Sequence, residues 1–338
     1  MKRQKIASSD TRQAVTLSYL LIEPEYFQGQ QDPQARVYSN NIQTSVVLIT
    51  VQARNSNGEV VTLPDDLNTN VIPYTAASGN WDSTMTPSPA GIQPFPEQYA
   101  ATFATSKAHP QNYQQFRRYI RYQNVPEGTV NQFAAQVKIG NVTFTTNNRD
   151  VQYGGAGQNG RFNSSFRLRS VKPLQYTLSN GGLVVTAPIE VFSAPIEGFT
   201  VKVQNSYISL RHPGTSSSVS FYAGSSTAAG SSLHDNKATA LGNPGSAVAQ
   251  KNIPNNNQLG RALNQALAPL RQTRGDSLIV AVAMYARVSE LFAPMQTSYY
   301  TNGVDVYGNS LKFFITLMSQ YPQRGPYDYY MDIDWAGA

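Results

Sequence analysis

The sequence predicts a mainly β protein built from antiparallel strands, and three observations carry that expectation. Runs of β-branched and apolar residues recur along the chain between Asn, Gly and Pro clusters, the pattern of short strands joined by turns. A single segment has firm helical periodicity. There Asn257 stands at a cap position ahead of Leu259, Leu263, Ala266, Leu267 and Leu270 on one face, and Pro269 marks the end. Composition agrees: 14% of residues are charged, against about 25% in an ordinary globular domain, and the chain holds 20 Tyr, 24 Gly and 20 Pro. So few charges exclude a charge-laced coiled coil, and so many aromatics exclude a mostly disordered chain.

Taken in order, the first strands span 16–23, 44–54 and 59–63. Between the last two, Asn55-Ser56-Asn57-Gly58 reads as a hairpin turn, because Asn-Gly accepts positive φ. Strands follow at 116–123, 133–146, 151–153, 162–170, 174–178 and 183–192. Phe199, Val201 and Val203 then alternate with Thr200, Lys202 and Gln204 in a half-buried strand over 199–211. Further strands fall at 219–222, 277–292, 311–320 and 327–335. Val46, Leu48, Val51, Ile279, Val282, Phe314 and Ile315 sit in the most apolar runs and are the expected core. A weaker helical stretch covers 97–107. Two stretches lack regular pattern: 64–112, rich in Pro, and 212–257, dominated by Ser, Gly, Ala and Asn. Both are read as long surface loops. The strands divide about residue 195. This gives a basic arm (1–12), a first β-barrel (13–195) and a second (196–338), each barrel carrying one of the long loops.

Length and charge bound the function. With 338 residues the chain can bury roughly three-quarters of its unfolded surface and needs no staple to fold. The absence of Cys excludes disulfides, thiolate metal sites and a Cys nucleophile. The start is basic but lacks an apolar core, so no secretory signal is expected there. The longest apolar run, 278–286, is far below the ~20 residues of a membrane span. Net charge is +6. The cations gather in the arm (Lys2, Arg3, Lys5), at Arg117, Arg118 and Arg121, and at Arg161, Arg167, Arg169 and Lys172. Asp328, Asp332 and Asp334 make the C-terminal end acidic. In 113–122, cations interleave with Tyr113, Phe116, Tyr119 and Tyr122, the mixture that grips a nucleic-acid backbone while stacking on bases, and one that also suits contacts between subunits.

Catalytic chemistry is sought and not found. His109, His212 and His234 have no metal-ligand spacing, no Gly-x-Ser-x-Gly elbow is present, and His234-Asp235 reads as loop polarity. Residues 155–160, Gly-Ala-Gly-Gln-Asn-Gly, match a dinucleotide fingerprint as a string. A strand-like segment follows instead of the helix that would meet a pyrophosphate. Asp332 and Asp334 share a strand face near Tyr329, Tyr330 and Trp335, a mixture that suits a cation, a sugar or a plain solvent edge. The sequons at Asn141 and Asn163 are coincidental if the chain is not exported. The expectation is no enzyme, no cofactor and no metal.

Antiparallel strands, long loops, a basic arm at Lys2, Arg3 and Lys5 and an acidic aromatic end give a layout that resembles the jelly-roll capsid proteins of tail-less icosahedral viruses and phages. The resemblance covers the general order of the whole chain and implies an antiparallel jelly-roll, two barrels in tandem. A single barrel with long loop insertions is the alternative. It further implies a virion subunit, made in the host cell without a secretory signal. Such a subunit assembles with copies of itself as trimers within a shell, beside other virion proteins, and touches the viral genome through the basic arm. The alternative function is a β-rich carbohydrate-binding or fibre/adhesion protein whose aromatics stack on sugars. A β-sandwich hydrolase or lyase ranks third.

Overall fold

The structure is a computed structural model. It describes residues 15–27, 34–96, 110–147, 162–186, 189–196, 199–231, 237–242, 249–251, 277–287, 296–319 and 329–335. The chain divides into two compact units, Met1–Lys172 and Pro173–Ala338. The division falls before the expected boundary near 195. The strands of 183–196 hydrogen-bond to the long strand 199–211, and so belong to the second unit.

Among the described residues the first unit holds ten strands: β1 (Thr16–Pro24), β2 (Gln34–Tyr38), β3 (Ser45–Arg54), β4 (Val60–Val61), β5 (Thr69–Pro73), β6 (Asn80–Thr84), β7 (Gln114–Gln123), β8 (Val130–Ile139), β9 (Val142–Thr145) and β10 (Phe166–Val171). One sheet runs β1-β3-β7-β6, with β4 hairpinned onto β3. The other runs β2-β10-β8-β5, with β9 hairpinned onto β8. All pairs are antiparallel except β2 with β10. With β1, β3, β5, β6, β7, β8 and β10 lettered A to G, the sheets read A-B-E-D and G-F-C, the strand order of an immunoglobulin-type sandwich. Among the described residues of this unit the strands lie in two open sheets and form no closed barrel.

A single apolar cluster holds those sheets together. It takes Leu17, Leu20, Ile22, Val47, Ile49, Phe116 and Ile120 from one sheet and Val37, Val71, Phe133, Ala135, Phe166 and Leu168 from the other. Trp81 of β6 meets Phe133 of β8 edge-on, centroids 4.8 Å apart, and Phe133 meets Phe166 of β10 at 5.7 Å. Such aromatic pairs add about 0.5–1.5 kcal/mol each beyond their burial. The cluster encloses a polar centre at Tyr122 and Asn131. Tyr122 donates its hydroxyl to the Leu168 carbonyl at 3.1 Å and accepts from Asn131 Nδ2 at 2.9 Å. Asn131 in turn donates to the Ser78 carbonyl and accepts from its backbone N–H. Burial pushes the Tyr122 phenol well above its ordinary range.

Several expectations meet this unit directly. The Asn55–Gly58 turn is present: Gly58 sits at φ 81°, its N–H donates to the Asn55 carbonyl, and β4 pairs with β3 behind it. Leu48 and Val51 are buried and Val46 is half-buried. The stretch 133–146 is two strands, because Gly140 turns the chain at φ 58°. The stretch 64–112 is not simply a loop. It contributes β5 to β8 and β6 to β7. Both are edge strands, where Pro73 is tolerated and apolar alternation is not required, so neither carries the sequence signal of a strand. The helical stretch 97–107 and the run 151–153 lie outside the described residues.

The second unit holds β11 (Leu183–Val185), β12 (Ile189–Ile196), β13 (Phe199–Arg211), β14 (Ser218–Val219), β15 (Phe221–Ser231), β16 (Lys237–Gly242), β17 (Ala249–Lys251), β18 (Ser277–Arg287), β19 (Gln296–Asp305), β20 (Ser310–Ser319) and β21 (Tyr329–Trp335). One sheet runs β11-β13-β18-β16-β17, with β12 and β14 also on β13. The other runs β15-β19-β20-β21. Both are open and antiparallel. Within 212–257 the expected strand at 219–222 falls on β14 and the start of β15, while the rest of β15, β16 and β17 lie where a loop was expected. Their Ala, Gly, Ser and Thr show no apolar alternation, and pairing with β13, β19 and β18 defines them. The expected helix at 257–270 and the core positions Ile279, Val282, Phe314 and Ile315 lie outside the residues described to side-chain level.

This unit has its own buried polar centre, at the β19–β20 turn. The Asp305 carboxylate is fully buried. Its Oδ1 accepts from the backbone N–H of Tyr307 and of Asn309, both at 2.8 Å. Its Oδ2 accepts from the Tyr176 hydroxyl at 2.5 Å and from Asn309 Nδ2 at 2.8 Å. Burial raises the Asp305 pKa from its ordinary value, and the four donors only partly offset it.

Candidate functional site

The cationic strand singled out in the sequence is β7, and its register sorts the three arginines. Phe116, Arg118, Ile120 and Tyr122 face the apolar cluster, while Arg117, Tyr119 and Arg121 face outward. The alternation of a strand makes that split unavoidable. Arg118 is 7% exposed and therefore offers nothing to a ligand on the outer face. It donates from Nε to the Thr69 carbonyl of β5 at 2.7 Å, and from Nη1 to the Arg117 carbonyl at 2.7 Å. The first of these bonds ties one sheet to the other. Burial lowers its pKa.

The outward pair is matched by acids. Arg117 donates from Nε and Nη2 to Glu25 Oε1, at 3.0 and 2.6 Å. That bond, then the Glu25 charge, raises the Arg117 pKa. Arg121 stands opposite Asp82 in the β6–β7 register, with Nε 3.8 Å from Oδ2. Tyr119 lies between the two arginines, opposite Thr84 of β6 and Val46 of β3. At the end of the strand, Asn80 donates from Nδ2 to Gln123 Oε1 at 3.0 Å. The result is a half-exposed tyrosine ring between two cations that each have an acid nearby, Arg117 hydrogen-bonded to Glu25 and Arg121 near Asp82 without a hydrogen bond. A surface so matched is poorly suited to a polyanion, which needs free cations to displace counterions. It suits a neutral, hydroxyl-rich or amide-rich partner, which can lie on a ring and meet polar side chains along the same face without displacing counterions.

Glu25 and Asp82 do not stand out in the sequence. Asp82 lies on a strand inside the stretch read as a loop, and Glu25 follows β1 in a short 3-10 turn, Glu25–Phe27. Neither partnership has a local sequence signal, since both are made by strand register. Lys2, Arg3 and Lys5 lie outside the described residues, as do His109, His234 and the 155–160 string. Asp332 and Asp334 are on β21, an edge strand, opposite Thr316 and Phe314 of β20. His212 accepts at Nδ1 from the Gly214 N–H in a tight turn. Among the described residues no three His, Cys, Asp or Glu side chains gather as a metal would require. Among them, too, no helix is long and apolar enough to cross a membrane.

No protein-family model and no curated protein matches the chain. Solved structures that align with it are β-rich. The collagen binding domain of Erysipelothrix rhusiopathiae surface protein RspB aligns at 11% identity over 91% of this chain and 93% of that one, with a TM-score of 0.14. The C-terminal domain of the Streptococcus agalactiae AgI/II polypeptide BspA aligns at 9% identity over 87% and 97%, with a TM-score of 0.22. The major pilin SpaD of Corynebacterium diphtheriae aligns at 7% identity over 94% and 67%, with a TM-score of 0.19. Likeness at this level carries no argument about function, which rests on the chain's own geometry.

Proposed function

We propose that this chain is a non-enzymatic β protein that works by surface contact, as a carbohydrate-facing fibre or adhesion subunit. The observation that carries the reading is the outer face of β7: Tyr119 between Arg117 and Arg121, which stand beside Glu25 and Asp82, with the Asn80–Gln123 pair further along the same face. Sugars present flat apolar faces rimmed by hydroxyls. An aromatic ring flanked by polar side chains, each cation with an acid beside it, meets both features. The test is a glycan array probed with the full chain and with Tyr119→Ala. Glycan binding that is lost in the variant, while its unfolding midpoint stays the same, supports the reading. Absence of binding to any glycan, or binding indifferent to Tyr119, overturns it.

The shell-subunit reading, in tandem jelly-roll units of open sheets, remains a second proposal. It is favoured by the low charge and high tyrosine content spread over the whole sequence, a composition that desolvates readily between subunits. In that reading Lys2, Arg3 and Lys5 contact a genome or an acidic neighbour. Negative-stain images of concentrated protein distinguish it: closed particles or trimers support a shell, and a persistent monomer removes it.

A further inference from the structure

We infer that Asn57 is a site of spontaneous covalent modification, converting to aspartate and isoaspartate, and that the fold withholds the same chemistry from two other Asn-Gly pairs. The reaction needs only water. The Gly58 backbone nitrogen attacks Asn57 Cγ and gives up its proton. The N–Cγ bond forms, the Cγ–Nδ2 bond breaks and ammonia leaves. Water then opens the cyclic imide at either carbonyl. Glycine on the C-terminal side favours attack because it has no side chain to block the approach.

The described residues contain three Asn-Gly pairs, 57–58, 180–181 and 302–303, which makes an internal comparison. Asn57 and Gly58 are both exposed, at the tip of the turn between β3 and β4. The Asn57 backbone N–H donates to Asn55 Oδ1, but its side-chain amide makes no hydrogen bond to the described residues. A Cβ at Gly58 would meet nothing within 4 Å, so the space around the glycine is open, and the attacking nitrogen is held by one hydrogen bond, from its N–H to the Asn55 carbonyl at 3.0 Å, which local opening of the turn must release. The hairpin behind it is short, with β4 pairing at two positions only, and local opening of such a turn needs little free energy.

Asn180 is also exposed, yet its amide is held. Its Oδ1 accepts from the Thr177 and Gly182 N–H groups at 3.0 and 2.8 Å, and its Nδ2 donates to the Gln175 carbonyl at 2.9 Å. Asn302 and Gly303 lie in the middle of β19, laddered on both sides to Ser225 and Gly224 of β15 and to Lys312 and Leu311 of β20. An extended, doubly paired backbone keeps the glycine nitrogen away from Cγ. Conversion at Asn57 adds a negative charge beside Glu59 and, as isoaspartate, a methylene to the turn backbone.

The experiment is a time course of the full chain at mildly alkaline pH, native and in denaturant, read by peptide mapping with isoaspartate detection. The ratio of native to denatured rate is taken for each pair, which removes the intrinsic chemistry. The ratio for Asn57 is expected to exceed those for Asn180 and Asn302 several-fold. A ratio at either of these equal to or above that at Asn57 overturns the inference, as does an Asn57 that is stable in the native chain while converting in denaturant.

Discussion

The two buried polar centres are built around the same residue type and differ in one respect. In the first unit the Tyr122 hydroxyl donates to a carbonyl and accepts from an amide, so every member is neutral. In the second the Tyr176 hydroxyl donates to a carboxylate, Asp305. Burial acts on both by opposing the charged form, and both pKa values are raised. The consequences fall at opposite ends of the pH scale. A raised pKa stabilises the folded state fully below the unfolded value, and that contribution is lost as pH rises through the folded value. Tyr122 therefore matters only in alkali, above its ordinary 10.0. For Asp305 the loss begins above 3.8 and proceeds toward the raised folded value.

The largest way to break this comparison lies beside it rather than in it. Phe133→Ala removes the ring shared by Trp81 and Phe166 and should destabilise the first unit by about 3–5 kcal/mol. Hydrogen exchange along the chain should then rise in 15–172 and not beyond, and a rise confined to the second unit would contradict the two-unit division. Next, Tyr176→Phe takes a charge-assisted bond from Asp305 and should cost the second unit about 1.5–3 kcal/mol. Tyr122→Phe leaves Asn131 and a buried carbonyl with weaker partners, for about 1–2 kcal/mol in the first unit. Thermal unfolding of the two variants gives the order, and a larger loss at Tyr122 reverses it.

The pH dependence sharpens the contrast further. Asp305→Asn should flatten the decline in second-unit stability that begins as pH rises above 3.8, measured as urea midpoints across acidic pH. An unchanged profile would assign that decline to another group. The smallest effect is expected at Arg117→Ala. Its side chain is 62% exposed, so the ion pair with Glu25 should contribute only about 0–1 kcal/mol and weaken with salt. A loss comparable to that of Arg118→Ala, whose guanidinium bridges the sheets, would show that the outer pair is structural.

Much of the strand content is legible because apolar runs announce themselves. Residues 199–211 read as a strand and form one, since β13 carries clean alternation. The stretch 64–112 hides β5 and β6, and 212–257 hides β16, β17 and most of β15, because an edge or small-residue strand is held by its partner's backbone. For the candidate surface, the sequence marks Arg117, Arg118 and Arg121 together. Period-2 geometry predicts their division between two faces, but which face lies inward needs the sheet packing.

What the sequence by itself determined is the β character, the Asn55–Gly58 turn, the absence of thiol chemistry and the placement of cations on β7. These depend on local φ/ψ preference, alternation and residue type, which are properties of neighbours in the chain. What only the tertiary structure decided is the order of strands in the open sheets, the burial of Arg118, the matching of Arg117 with Glu25 and of Arg121 with Asp82, and the enclosure of Asp305. Each of these joins residues far apart in the sequence through strand register or sheet packing. A one-residue change of register would exchange the inward and outward faces without altering any local preference.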